Sequence, residues 1–340
     1  MSTTTTPAPD TIATNAIQKK PVPPGRRLAI DLLSRYALVL LWIVMLLVLL
    51  AFVPGDVSPI NAMRTVFSQI TPVVFLGLGV VITMAVGEFD LSFAGIFSIS
   101  AVAVPSLAVL HGWPVWLAVM GALAMALVLG AINAALIVGL GINSVVVTLG
   151  TWSVAGGLAF LLSGETTVSG LEPALSAIST GRFLGLPHLF WYGVILVAIV
   201  AYIMGATPIG RHMAFVGSNR AVAALAGIAV SRVRIGAYLA SALLAGLAGV
   251  VISIGNGGFN PASAGAYLLP TFAAVFLGTV AVVPGRFNPI GMFIGAYFLI
   301  TGVFGLQLLG LTGWVTEVFY GVALVLAVTV SHLLQRRVRG

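Results

Sequence analysis

The chain has 340 residues, of which 60% are hydrophobic and only 7% are charged, and its formal net charge is +7. Soluble domains carry about 25% charged residues, so this composition excludes an ordinary soluble protein. The chain contains no cysteine, which excludes disulfide bonds and cysteine-ligated metals. Its only lysines are Lys19 and Lys20 in the N-terminal tail, so a phosphate-binding P-loop, and the ATPase activity that depends on one, is excluded as well.

Continuous apolar runs fill most of the chain and are mostly 17 to 25 residues long. An α-helix of that length crosses the roughly 30 Å of hydrocarbon in a bilayer, whereas a β-barrel would show short segments of alternating polarity. We therefore predict an all-α polytopic membrane protein with about ten transmembrane helices. The predicted spans are 36–53, 72–86, 91–110, 113–138, 143–162, 189–205, 235–254, 267–283, 288–308 and 312–332.

The basic residues predict the orientation of these spans. Thirteen of the fifteen lysines and arginines lie in the N-terminal tail, the 206–234 loop, the 284–289 turn and the C-terminal tail, all on one side of a ten-span topology. The positive-inside rule places that side, and therefore both termini, in the cytoplasm; the net charge is not a sign of nucleic-acid binding. We assign residues 1–34 to a disordered cytoplasmic tail, residues 35–333 to the transmembrane domain and residues 334–340 to a basic cytoplasmic tail.

The 206–234 loop contains the signal of a short helix. Ser218 is a candidate N-cap, Val222 and Leu225 are three residues apart, and Gly227 suits the left-handed position after a helix. Several alanines keep this helix slim. We predict that it sits in a cleft of a soluble partner and receives force from it.

Two acidic residues interrupt the hydrophobic sequence in the segment GEFDLS, residues 87–92. A charge inside a bilayer costs at least about 2.5–3.5 kcal/mol, so Glu88 and Asp90 require a specific environment. One interpretation is structural, with Asp90 as the N-cap of the next helix. The other places the two carboxylates near the permeation path or at a partner contact, and both interpretations remain open.

Uncharged polar side chains lie in the next spans, at Asn143, Thr148 and Thr151, beside the aromatic Trp152. They could form hydrogen bonds between helices, or they could line a path for a neutral polyol. The four histidines are scattered without an i, i+4 pair, so we expect no metal site, no cofactor and no catalytic group.

Four segments are distinctive: GEFDLSFAGIFSIS (87–100), INSVVVTLGTWSVAGGLAFLLSG (142–164), GRHMAFVGSNRAVAALAGI (210–228) and LLPTFAAVFLGTVAVVPGRFNPIG (268–291). Together they resemble segments of one family, the permeases of ribose/arabinose/xylose-type ABC importers. The resemblance covers about residues 35–332 in the right order.

This resemblance implies a permease in the bacterial inner membrane that works by alternating access. It implies a separate ATPase with tandem nucleotide-binding domains, a periplasmic solute-binding protein and a second permease subunit, either a copy or a paralogue. The solute would be a monosaccharide, with a nucleoside or a branched-chain amino acid as alternatives within related permeases. The 206–234 loop would be the coupling loop, and its expected ATPase contacts are Arg211, Ser218, Asn219, Ala221, Ala224 and Gly227.

The sequence also departs from the family pattern. Ala221 stands where the family usually has an acid, and Ala226 where it usually has serine. Glu88 stands where the family usually has a second glycine. An alternative outside this family is an ion-coupled secondary transporter, for which Asp90 and Glu317 are the available coupling acids.

Overall fold

The computed structural model describes residues 24–52, 58–311 and 313–339, and side chains for residues 36–52, 58–311 and 313–332. Within those residues the chain is helical almost throughout, as expected where backbone groups must be satisfied inside lipid. The helices are α1 (Pro24–Ala51), α2 (Pro59–Gln69), α3 (Thr71–Ala85), α4 (Phe93–Pro105), α5 (Val115–Ala134), α6 (Ser144–Ser163), α7 (Pro173–Thr180), α8 (His188–Ala206), α9 (Pro208–Ser218), α10 (Arg220–Leu225), α11 (Val230–Asn256), α12 (Leu268–Gly278), α13 (Pro289–Leu308) and α14 (Trp314–Arg339).

Three shorter helical segments and four two-residue strands complete the described secondary structure. The π-helical turns Ser106–Leu110 and Ala135–Gly139 extend α4 and α5, and a 3₁₀ segment, Pro261–Tyr267, leads into α12. The strands form two small antiparallel pairs: β1 (Val168–Ser169) with β4 (Gly258–Phe259), and β2 (Arg182–Phe183) with β3 (Leu186–Pro187).

Among the described residues, nine helical stretches are long and apolar enough to cross a membrane, and Tyr36–Ala51 is a shorter apolar helix. This confirms the predicted all-α polytopic fold. Two predicted boundaries were wrong. The second span, predicted as 72–86, begins at Pro59, and the eighth, predicted as 267–283, runs from Pro261 to Gly278. The start of the second span was missed because α2 is amphipathic and includes Asn61 and Arg64, which resemble loop residues.

The predicted tails fall partly outside the described residues. Residues 1–23 are not described, and residues 24–34, which the sequence assigns to the disordered tail, form the first turns of α1. At the other end of the chain α14 continues to Arg339, through most of the predicted basic tail.

Helices α3 and α4 form the centre of the bundle, and nearly all of their residues are buried. They pack against α11, while α5 and α6 flank α4, and α12 and α13 flank α3. The contact between α4 and α11 depends on a glycine, because a Cβ on Gly249 would lie 2.7 Å from the Phe97 carbonyl oxygen. The segment that joins α3 to α4 is therefore held on several sides.

The connections between helices meet in two groups. β1, in the connection after α6, pairs with β4, which follows α11. Residues 87–88, 141–144, Arg220 and Arg234 instead line one shared cavity. This grouping is what a regularly alternating up-and-down topology requires. It brings the 206–234 loop to the same end of the bundle as the GEFDLS segment.

Candidate functional site

The GEFDLS segment is a non-helical break inside the bundle, which we call the break (residues 86–92). Helix α3 ends at Ala85 and α4 begins at Phe93. The side chain of Phe89 stacks on Phe272 of α12 with ring centroids 5.1 Å apart. Irregular backbone at this depth is tolerated only where protein or a water-filled cavity surrounds it. Here both environments are present, because a cavity reaches Glu88 while Asp90 is enclosed by protein.

Glu88 is 3% exposed, and three side chains from two other helices donate to its carboxylate. The distances are 2.8 Å from Nη2 of Arg220 and 2.5 Å from Nε of Arg234, both to Oε1. The hydroxyl of Tyr238 donates to Oε2 at 3.1 Å. A buried carboxylate is tolerable when it is paired and hydrogen-bonded in this way. The two arginines leave the group with one net positive charge.

Asp90 is 1% exposed and lies deeper than Glu88. Its Oδ2 accepts from the hydroxyl of Ser241 at 2.7 Å, and its Oδ1 accepts from the backbone N–H and the hydroxyl of Ser92, at 2.9 and 2.6 Å. Ser241 lies eleven residues beyond the start of α11 at Val230, about 16 Å along a helix that rises 1.5 Å per residue. The carboxylate is therefore well inside the bundle.

The hydrogen bonds continue from Ser92 into two further helices. The amide of Asn133 in α5 donates to the Ser92 hydroxyl at 2.8 Å, and Thr151 in α6 donates to the Asn133 carbonyl oxygen at 2.5 Å. All these side chains are buried. The network ties the break to α5, α6 and α11, and each of its polar groups has a protein partner. Ser92 occupies the N-cap position of α4 but makes no side-chain cap hydrogen bond. Asp90 lies two residues before it, and its carboxylate accepts from the Ser92 N–H, so Asp90 has the structural role that one of the two interpretations gave it, although not at the N-cap position itself.

The remaining predicted path residues have different surroundings. Thr148 is buried, and its hydroxyl donates to the Ser144 carbonyl oxygen at 2.8 Å. Asn143 is exposed and caps α6, with its side chain accepting from the N–H of Val145 at 2.9 Å. Trp152 is partly buried, and its backbone is packed closely against Gly95 of α4. The six predicted path residues thus surround the break and the start of α6.

A polar cavity of about 310 Å³ opens beside the break. Of the predicted path residues, Glu88 and Asn143 line it, whereas Asp90, Thr148, Thr151 and Trp152 do not. Arg220 and Arg234 contribute positive charge to its lining, and Gly141 and Ser144 line it as well. The cavity is therefore lined by the break, by the 206–234 loop and by the start of α6.

The 206–234 loop folds into α9 and α10, and α10 is the short helix that the sequence indicates. Its N-cap is Asn219, whose side chain accepts from the N–H groups of Ala221 and Val222 at 3.0 and 3.1 Å. Ser218, the predicted N-cap, is instead the last residue of α9. Gly227 has φ +79°, so the left-handed position predicted for it is confirmed.

Helix α10 has one buried residue and an exposed apolar surface. Ala223 is buried against Val86 and Met213, whereas Leu225 is 90% exposed and Val222 is 56% exposed. The six residues predicted to contact a partner are all exposed: Arg211, Ser218, Asn219, Ala221, Ala224 and Gly227. We call α10 together with its flanking residues the knob (residues 219–227). Leu225 and Val222 form an exposed apolar patch in an arginine-rich loop, and a contiguous patch rimmed by polar residues is typical of an interaction site.

Sequence reasoning missed the partners of the two acids. Arg220, Arg234 and Tyr238 were not assigned to Glu88, and Ser241 was not assigned to Asp90. A usable signal was present, because the predicted topology puts the break and the arginine-rich loop on one side, and a carboxylate in a hydrophobic region requires a cationic partner.

Comparison with known proteins gives a match over most of the chain. Residues 62–328 match the family described as branched-chain amino acid transport system, permease component. The chain is 29% identical over 296 residues to the probable ABC transporter permease protein y4mJ of Sinorhizobium fredii, covering 86% of this chain and 88% of that protein.

A second type of relative is the autoinducer 2 import system permease protein LsrC. The LsrC of Escherichia coli is 30% identical over 292 residues, which cover 86% of this chain and 85% of that protein. The LsrC of Salmonella typhi is 29% identical over 292 residues, with 86% and 84% covered. No solved structure matches the chain.

Proposed function

The chain belongs to the family of permease components described as those of branched-chain amino acid transport systems, and on that basis we propose that it imports a monosaccharide-like solute as part of a binding-protein-dependent ABC importer. Two of its relatives are named as permeases for autoinducer 2, which supports a small polar solute. As an ABC importer permease it is an inner-membrane protein and performs no catalysis itself.

The observation that carries the proposal is the knob. An exposed, capped helix bearing Leu225 and Val222 lies on the same end of the bundle as Arg211, Arg220, Arg232 and Arg234. The positive-inside rule places such an end in the cytoplasm, where a separate ATPase would bind it. Asn219 stabilises the helix in advance, which lowers the entropic cost of docking.

The partners follow from the same arrangement. On the cytoplasmic side we propose an ATPase with tandem nucleotide-binding domains that receives the knob. On the other side a periplasmic solute-binding protein delivers the solute to the surface formed by residues 163–187 and 255–260. A second permease subunit, either a copy or a paralogue, completes the path across the bilayer by alternating access.

The solute path would pass the break. Asn143 and Glu88 face the cavity, and Thr148 and Thr151 stand beside the break on α6. Hydroxyl and amide groups of this kind suit a neutral polyol. The alternative of an ion-coupled transporter would use Asp90 or Glu317 as its coupling acid. Three hydrogen bonds from Ser92 and Ser241 already occupy the Asp90 carboxylate, and Glu317 is exposed in the first turn of α14.

Transport assays on the purified chain in proteoliposomes test the proposal. We expect ATP-dependent uptake only when the ATPase and the solute-binding protein are both present. Uptake by the chain alone, driven by an ion gradient, would contradict the proposal and favour the ion-coupled alternative.

A matched pair of variants tests the docking site. Ala224→Arg places a charged side chain on the exposed surface of α10 and should abolish co-purification of the ATPase without affecting membrane insertion. Ala262→Arg places the same charge on an exposed position at the other end of the bundle and should leave co-purification unchanged. A complex that survives Ala224→Arg with full transport would refute docking through the knob.

A further inference from the structure

The knob is attached to the break through Glu88. Arg220 is the first residue of α10, where a positive charge is unfavourable because the helix dipole is positive there. Its guanidinium turns away from the helix and donates to Glu88 Oε1 at 2.8 Å and to the Gly87 carbonyl oxygen at 2.9 Å. A residue of the knob thus makes two hydrogen bonds to the break, and one of them is charge-assisted.

A backbone contact strengthens the same attachment. Gly217, near the end of α9, lies against the last residue of α3, since a Cβ on Gly217 would come within 2.1 Å of the Ala85 carbonyl oxygen. Any larger residue there would force α9 away from α3. The loop therefore contacts the end of α3 through Gly217, before α10, and contacts Glu88 through Arg220, in the first turn of α10.

The break is also hydrogen-bonded to buried side chains of neighbouring helices. Asp90 is two residues beyond Glu88 and is hydrogen-bonded to Ser241 of α11 and to Ser92. Ser92 in turn accepts from Asn133, which accepts from Thr151 of α6. The polar contacts of Glu88 and of Asp90, which are joined by the backbone of the break, thus link the first residue of α10 to buried side chains on α5, α6 and α11.

The two arginines differ in their freedom to move. The side chain of Arg234 is 15% exposed, whereas that of Arg220 is 44% exposed, and both line the 310 Å³ cavity. In a variant that lacks the Arg220 guanidinium, Arg234 and Tyr238 would still neutralise and hydrogen-bond the carboxylate. Loss of the Arg220 contact therefore leaves Glu88 paired.

We propose that Glu88 is a positioning residue for transport, and that its ion pair with Arg220 makes the break follow the movement of the knob. The inference rests on the proposed function, because it needs an ATPase that moves α10. When α10 is displaced, Arg220 pulls on Glu88 and Gly87, and the break shifts relative to α6 along the cavity wall. Loss of the ion pair would leave the ATPase bound and active but would disconnect it from the path.

The test uses the assembled importer in proteoliposomes, with permease, ATPase and solute-binding protein. Glu88→Gln keeps the size of the side chain and an oxygen acceptor but removes its charge. We expect normal co-purification of the ATPase and continued ATP hydrolysis, with solute transported per ATP reduced about tenfold, as expected when charge-assisted hydrogen bonds are lost.

Arg232→Gln is the matched control. It removes an arginine from the same loop, two residues from Arg234, and within the described part of the chain its side chain has no hydrogen bond or ion pair. The ratio of transport to hydrolysis should not change. Arg220→Gln removes the same ion pair and should lower the ratio as well. The double variant should lower it by less than the product of the two single effects, because the two variants share that ion pair.

A purely structural role for Glu88 predicts a different result. Transport and hydrolysis would then fall together, in proportion to the amount of inserted permease, and the ratio would stay at the wild-type value. Either that outcome or full activity of Glu88→Gln would overturn the inference. If the wild-type permease fails to assemble with an ATPase at all, the proposed function fails, and the two failures are therefore distinguishable.

A second measurement covers the case in which Glu88→Gln inserts poorly. The chain has no cysteine, so Ile142→Cys provides a single labelling site on the cavity wall. In the assembled importer, ATP should change its labelling rate by several-fold, and Arg220→Gln should abolish that change. Persistence of the ATP effect in the Arg220→Gln background would refute the link.

Discussion

The guanidinium of Arg220 and the carboxylate of Glu88 are 132 residues apart in sequence and 2.8 Å apart in space, between Nη2 and Oε1. Arg220 belongs to the knob, and Glu88 belongs to the break between α3 and α4. The pair therefore connects the knob directly to the segment that lines the cavity.

Leu225 should dominate the affinity for the ATPase. It is 90% exposed, and burying a leucine side chain contributes about 1.5–3 kcal/mol. Leu225→Ser should weaken binding of the ATPase by about tenfold or more, measured by titrating purified ATPase onto permease in nanodiscs. Leu309→Ser, at an exposed position beyond the far end of α13, is the control. Equal affinity of the two variants would exclude a contact through Leu225.

We expect Asn219 to affect ATPase binding indirectly, by stabilising α10. Its side chain accepts from two backbone N–H groups of α10, and loss of such a cap costs about 1 kcal/mol of helix stability. Asn219→Ala should therefore reduce ATPase affinity several-fold in the same titration. Asn219→Ser retains a capping oxygen and should bind like the wild type. If both variants bind equally weakly, the amide itself contacts the partner and the capping explanation is wrong.

Ser241 should stabilise the folded permease through Asp90. Ser241→Ala leaves Oδ2 of a buried carboxylate without its 2.7 Å donor, at a cost of about 1–3 kcal/mol. Thermal unfolding in detergent should show a lower midpoint for this variant. Ser231→Ala, at an exposed position near the start of α11, should unfold like the wild type. An unchanged midpoint for Ser241→Ala would show that Asp90 does not depend on this hydrogen bond.

The all-α polytopic fold followed from the sequence because lipid imposes a length and a composition on every span. The same reasoning failed where a helix is not uniformly apolar. α2 contains Asn61 and Arg64, and Arg64 donates to the Gly185 carbonyl oxygen at 3.1 Å. Such a partner, distant in sequence, satisfies a charge that composition alone assigns to a loop.

The residues of the candidate site were predictable from the sequence, but the contacts between them were not. Glu88 and the loop arginines were both conspicuous, and α10 was visible from Val222, Leu225 and Gly227. Their pairing depends on how α9 packs on α3, which no local pattern encodes. The departure from the family pattern at Glu88 also had no interpretation until Arg220 and Arg234 were found beside it.

The orientation of the bundle is the premise of every prediction about the ATPase, and a chain without cysteine makes it directly measurable. Ala226→Cys lies on the knob and Ala262→Cys at the other end of the bundle, and both positions are exposed. In intact cells a membrane-impermeant maleimide should label Ala262→Cys only, because the positive-inside rule places the arginine-rich end in the cytoplasm. Permeabilised cells, in which both variants should react, control for accessibility. Labelling of Ala226→Cys in intact cells would place the knob in the periplasm, where no ATPase could reach it.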